Sequence, residues 1–135
     1  MNEQAVTKIK SYFEKKPDVV AVYLFGSCAS GKDRRTSDVD LGILLQVSEL
    51  TNTQDKRNDY IVELARLLRK DIHPVILNSA SEALIRQIFF KGKCILVNDS
   101  QELYKFKMIM TARIADFWQY RNMMKLGFIR KVMEG

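Results

Sequence analysis

The apolar positions of this 135-residue chain fall into two kinds of pattern that alternate along its length. Near the start, Val6, Ile9, Tyr12 and Phe13 recur at helical spacing and Lys16-Pro17-Asp18 ends the recurrence, which predicts an amphipathic helix over 3–16. Val19 to Phe25 (VVAVYLF) is instead a continuous β-branched and aromatic run, too short for a buried helix and suited to a central strand. Gly26 ends it, a short helical turn follows from Ser27, a charged loop covers Gly31 to Ser37, and Asp38 to Leu45 reads as a second strand.

Downstream, Tyr60, Ile61, Leu64, Leu67 and Leu68 mark one face of a long helix over 54–70. Ile72 to Leu77 is a third strand, and Pro74, which has no N–H to give a ladder, puts it at a sheet edge or turns its missing donor away from the ladder. Ser79 or Ser81 caps a helix reaching about Phe90, Gly92 stops it, and Cys94 to Val97 makes a short fourth strand. From Gln101 to about Lys125 the chain is helical again, with Leu103, Phe106, Ile109, Met110, Ile114, Phe117, Trp118 and Met124. Helix and strand thus alternate from end to end, which predicts an α/β (α+β) domain with helices packed on a small mixed sheet. No repeat or linker divides the chain, so residues 1–135 are expected to form one domain with a C-terminal helical segment at about 101–133.

Composition adds limits. With 47% hydrophobic and 28% charged residues the sequence is that of a folded protein. Its apolar runs are far shorter than the roughly 20 residues of a membrane span, and the charged N-terminus has no signal-peptide pattern, so a cytoplasmic protein without membrane partners is expected. Cys28 and Cys94 have no zinc-ligand spacing and are read as reduced thiols. A net charge of +6 favours an acidic partner without choosing one. A nucleic-acid partner is not expected, because the strands show no interleaved aromatic and basic residues. The large apolar groups of the last third (Phe117, Trp118, Met123, Met124, Phe128, Ile129) exceed what one helix face needs and suggest a homo- or hetero-oligomer through that helix.

The unusual chemistry lies in LFGSCASGKDRRTSDVDLGILL, Leu24 to Leu45. On a strand, Asp38 and Asp40 project from one face while Val39 turns inward. Two adjacent carboxylates repel, and a divalent cation resolves that conflict; Mg²⁺ in particular is held by one or two carboxylates together with substrate phosphates. Gly26 allows a phosphate close to the backbone and Ser27 offers a hydroxyl and a helical turn. Lys32, Arg34 and Arg35 in the loop are candidates for the same anion, Arg34 first.

Gly26-Ser27, ten residues, then Asp38-Val39-Asp40 resembles the signature of the polymerase β-like nucleotidyltransferase superfamily. The short chain resembles its minimal nucleotidyltransferases, the MNT antitoxins. That resemblance implies the polymerase β-like fold with a C-terminal helix. It implies Asp38 and Asp40 as catalytic ligands of Mg²⁺, two ions being usual, and ATP held by Gly26, Ser27, Arg34 and Ser37. It also implies a HEPN-type ribonuclease toxin as partner, AMP passing from ATP to a toxin tyrosine. One position departs from the pattern. The strand that should supply a third carboxylate reads Asp71-Ile72-His73-Pro74, which puts His73 at that place, and Asp71 reaches it only if the strand slips by about 6 to 7 Å. The departure opens one alternative, an antitoxin that neutralises by binding alone; nucleotidylation of a small molecule is a further one.

Overall fold

A computed structural model describes the backbone of residues 1–31 and 38–134, with side chains in those spans as far as residue 116 and at 121 and 122. The chain divides into two compact units, Met1–Leu103 and Tyr104–Gly135. The elements follow the expected order: α1 Glu3–Glu14, β1 Val19–Phe25, α2 Ser27–Ser30, β2 Val39–Leu45, α3 Thr53–Leu68, β3 Ile72–Ile76, α4 Glu82–Lys91, β4 Lys93–Val97 and α5 Ser100–Glu134. Two single 3-10 turns, Val47–Glu49 and Leu77–Ser79, carry no hydrophobic periodicity and were not foreseen. The second shortens the third strand by one residue, since Leu77 opens the turn.

The strands form one mixed sheet in the order β3-β2-β1-β4. β1 runs antiparallel to both β2 and β4, whereas β2 and β3 are parallel. The all-apolar β1 sequence follows from this position: it lies inside the sheet, and Val19 to Leu24 are buried on both of its faces. β3 is an edge strand, so the missing N–H of Pro74 costs no ladder bond on its outer side. The carbonyl of Pro74 accepts a hydrogen bond from Arg57 Nε of α3 at 2.9 Å.

β2 sorts the two faces by parity. Val39, Leu41, Ile43 and Leu45 enter the core with Ile9 and Phe13 of α1 and Tyr60 and Leu64 of α3. Gly42 looks the other way, toward Leu77 and Ile88 of α4, so closely that an added Cβ would lie 3.2 Å from Leu77 Cδ2. Asp40 shares the parity of Gly42 and therefore opens toward the α4 side. Helix ends are fixed by side chains: Asn2 accepts from Ala5 N at 2.8 Å and Ser81 from Leu84 N at 3.2 Å. The Asn78 side chain bonds both Leu45 N and Leu45 O, at 2.9 and 3.0 Å, and so imitates one more strand residue at the end of β2.

Candidate functional site

The C-terminal end of β1 and the N-terminal end of β2 lie side by side, with Phe25 paired to Asp40. Between them the chain turns through Gly26, whose φ of 72° and ψ of −151° belong to a region that only glycine adopts readily. A Cβ there would also sit deep inside the van der Waals radius of Asp40 Oδ2. Gly26 is therefore required twice, for its backbone conformation and for the space that the Asp40 carboxylate occupies. Ser27 opens α2, is half-buried, and its hydroxyl makes no hydrogen bond among the described residues.

On the other side of β2, Asp40 is in register with His73 of β3. That register is set just outside the strands, where Val39 N donates to the Asp71 carbonyl at 2.9 Å. Asp71 thus contributes its backbone, and the third position belongs to His73. The imidazole lies between the two acids: His73 Nε2 is 3.3 Å from Asp38 Oδ2, and Nδ1 is 3.9 Å from Asp40 Oδ1. All three side chains reach solvent, Asp40 least, at 30% exposure against 45% for Asp38 and 58% for His73. Burial pushes the Asp40 carboxyl above the ordinary carboxylate range; His73 pulls it back and Asp38 adds to the rise.

Asp38, Asp40 and His73 lie side by side and Gly26 lies against Asp40, with Ser27 next to it in the chain, while Arg34 and Ser37, with Lys32 and Arg35, lie outside the described residues. One contributor was missed: the buried Cys28 thiol donates to the Asp38 carbonyl at 3.3 Å, tying α2 to the start of β2. Its only signal in the sequence is that a small apolar residue follows Gly-Ser. Among the described residues no three His, Cys, Asp or Glu side chains form a complete metal cage. Two carboxylates with an open side nevertheless fit Mg²⁺, which commonly takes one or two protein carboxylates and fills its octahedron with phosphate oxygens and water.

A mixed sheet covered by helices, with a Gly-Ser turn set against a pair of strand acids, defines a nucleotidyltransferase site, and the comparisons agree. The family model for polymerase beta nucleotidyltransferases matches residues 7–101, and the chain belongs to that family. Among its relatives is the protein adenylyltransferase MntA of Shewanella oneidensis, 32% identical over 110 residues that make up 81% of this chain and 76% of MntA. A toxin-antitoxin crystal structure with AMP-PNP contains a chain matching at a TM-score of 0.64 and 27% identity, over 98% of this chain and 99% of that one. A structure of the tri-AMPylated S. oneidensis HEPN toxin in complex with MNT antitoxin matches at a TM-score of 0.63 and 25% identity, again over 98% and 99% of the two chains.

Proposed function

We propose that this chain is the antitoxin of a HEPN/MNT pair and a Mg²⁺-dependent adenylyltransferase that passes AMP from ATP to a tyrosine of the HEPN toxin. Residues 1–135 are taken as one functional domain, acting in the cytoplasm; among the described residues no helix is long and apolar enough to cross a membrane. In the reaction the tyrosine hydroxyl gives up its proton to water as its oxygen attacks the α-phosphorus, the bond to the β-phosphate oxygen breaks, and pyrophosphate leaves. Asp38 and Asp40 are the residues that would hold Mg²⁺, which supplies charge neutralisation for the attacking and leaving oxygens when bound. Gly26 keeps the turn low enough for the triphosphate to approach the acids, and the Ser27 hydroxyl offers it a hydrogen bond. Arg34 and Ser37 are proposed to add to that contact. The partner is expected on α5, where Tyr104, Met108 and Ile109 are 64%, 55% and 52% exposed.

The observation that carries this reading is the fit between Gly26 and Asp40: the turn is shaped around a carboxylate that the fold keeps half-buried beside a second one. Incubation with radiolabelled ATP, Mg²⁺ and the toxin encoded beside it is the test. Label on the toxin that is lost in Asp38→Ala is expected, and full neutralisation of the toxin without label would refute the transfer. His73 favours a second reading, an antitoxin that acts by binding alone, because an imidazole in the third position brings no negative charge to a metal site.

A further inference from the structure

The backbone pins His73 on both sides. Before it, the Asp71 carbonyl accepts from Val39 N at 2.9 Å, and after it the Pro74 carbonyl accepts from Arg57 Nε, also at 2.9 Å. Because β2 and β3 are in register here, with His73 opposite Asp40, the ring leaves the sheet on the same face as that acid. His73 is 58% exposed and Asp38 45%, so an ion can reach both from solvent. No other imidazole exists in the chain, whose sequence contains one histidine.

The two ring nitrogens meet different acids. Nε2 is 3.3 Å from Asp38 Oδ2, whereas Nδ1 is 3.9 Å from Asp40 Oδ1. Two donors that each lie about 2.1 Å from one ion, at a right angle to each other, are about 3 Å apart. The spacing of Nε2 and the Asp38 oxygen is close to that value. The rival use of the ring, as a hydrogen-bond donor to both acids, is met at Asp38 but not at Asp40, where 3.9 Å is beyond hydrogen-bond reach. Among the described residues no three acid, histidine or cysteine side chains converge on one ion. The chain's share of a site at His73 is therefore two ligands, Nε2 and an Asp38 oxygen.

From this geometry we propose that His73 Nε2 and the Asp38 carboxylate together hold a divalent transition-metal ion in preference to Mg²⁺. The proposal rests on the reading of the paired acids as a metal site and names the ion that one part of it selects. The preference follows from donor type. Mg²⁺ takes oxygen ligands, whereas imidazole nitrogen suits first-row transition ions, so a mixed set of one nitrogen and one oxygen favours the latter. Mn²⁺ stands lowest among those ions in intrinsic affinity, which makes it the strictest probe of the idea. Asp38 is then shared between this ion and the Mg²⁺ proposed to come with ATP, an arrangement open to a carboxylate with two oxygens in a two-ion site.

Pulsed EPR of the untagged full chain with Mn²⁺, without ATP, reads the ligand directly, because coupling to an imidazole nitrogen can come only from His73. Such coupling is expected in the parent and is expected to vanish in His73→Asp. Calorimetry with Mn²⁺ and with Mg²⁺ supplies the second readout. The charge that His73→Asp introduces acts alike on both divalent ions, so the ratio of the two affinities isolates the nitrogen. That ratio should shift toward Mg²⁺ by on the order of tenfold. Asp71→Asn, at a position whose carbonyl is its link to β2, should leave both affinities unchanged. The proposal is overturned if Mn²⁺ does not bind without nucleotide, if bound Mn²⁺ shows no nitrogen coupling, or if parent and His73→Asp give the same ratio. Label transfer to the toxin without nitrogen coupling would remove the imidazole ligand alone, and nitrogen coupling without label transfer would remove the adenylylation reading alone.

Discussion

Replacing Gly26 by Ala would test the site at its tightest point. Two penalties are superposed there. A non-glycine residue held at φ 72°, ψ −151° costs about 1–3 kcal/mol of backbone strain. The new Cβ also claims the space of Asp40 Oδ2, so the carboxylate must swing away from Asp38 and His73. Gly31 provides the control, since its φ of 75° is also positive but no heavy atom of the described residues lies within 4 Å of an added Cβ. Its ψ of 9° is in the left-handed helical region, where Ala costs only about 1–2 kcal/mol. At roughly 4 °C per kcal/mol for a chain of this size, Gly26→Ala should melt about 4–12 °C lower than the parent and Gly31→Ala about 4–8 °C lower. Activity should separate the two far more sharply. A displacement near 1 Å at a reacting centre can cost about 100-fold in turnover, so adenylylation should fall by that order in Gly26→Ala and change little in Gly31→Ala. Thermal melts and initial rates of label transfer are the measurements. A Gly26→Ala protein that transfers label at the Gly31→Ala rate would refute the argument that the turn is shaped around Asp40.

Asp40→Asn should raise the melting temperature at pH 7 in metal-free buffer. Since the folded-state carboxyl titrates above its ordinary 3.8, the folded protein bears a penalty for ionising it; the gain should shrink as pH falls through that raised value and vanish below 3.8, and a destabilised Asn variant at neutral pH would contradict it. His73→Asp should tighten Mg²⁺ binding in calorimetry, because one more negative charge about 4 Å from a divalent ion is worth about 2 kcal/mol in water, roughly 30-fold; unchanged affinity would mean that the third position does not face the ion. Asn78→Ala removes both bonds to Leu45, at about 1 kcal/mol each, and should lower stability by about 2 kcal/mol in denaturant titration without changing nucleotide affinity. Leu64→Ala, which empties a fully buried position between α3 and the sheet, should cost about 2–5 kcal/mol in the same assay.

Much of this was legible in the chain because the informative signals are local. The continuous apolar run of β1 marked an inner strand, Pro74 allowed an edge, and Ser79 or Ser81 marked the start of α4, each through a property of a few adjacent residues. Asp38 and Asp40 were recognisable because strand parity alone puts both on one face. The two 3-10 turns escaped because three residues are too few to show a period. The Cys28 bond to Asp38 escaped because a thiol within reach of a carbonyl ten residues away has no sequence pattern at all.

By itself the sequence determined the element order, the inner place of β1, the paired acids and the presence of a histidine where a third acid is usual. These depend on side-chain alternation and backbone preference, which act over two to four residues. Tertiary structure decided what the acids meet. The hydrogen bond from Val39 N to the Asp71 carbonyl fixes the β2–β3 register, and with it His73 rather than Asp71 beside Asp40. A slip of two residues would keep the same hydrophobic face and exchange the histidine for an acid, so no pattern in the chain distinguishes the two registers. Only the packed sheet, with Gly26 pressed against Asp40, makes that choice.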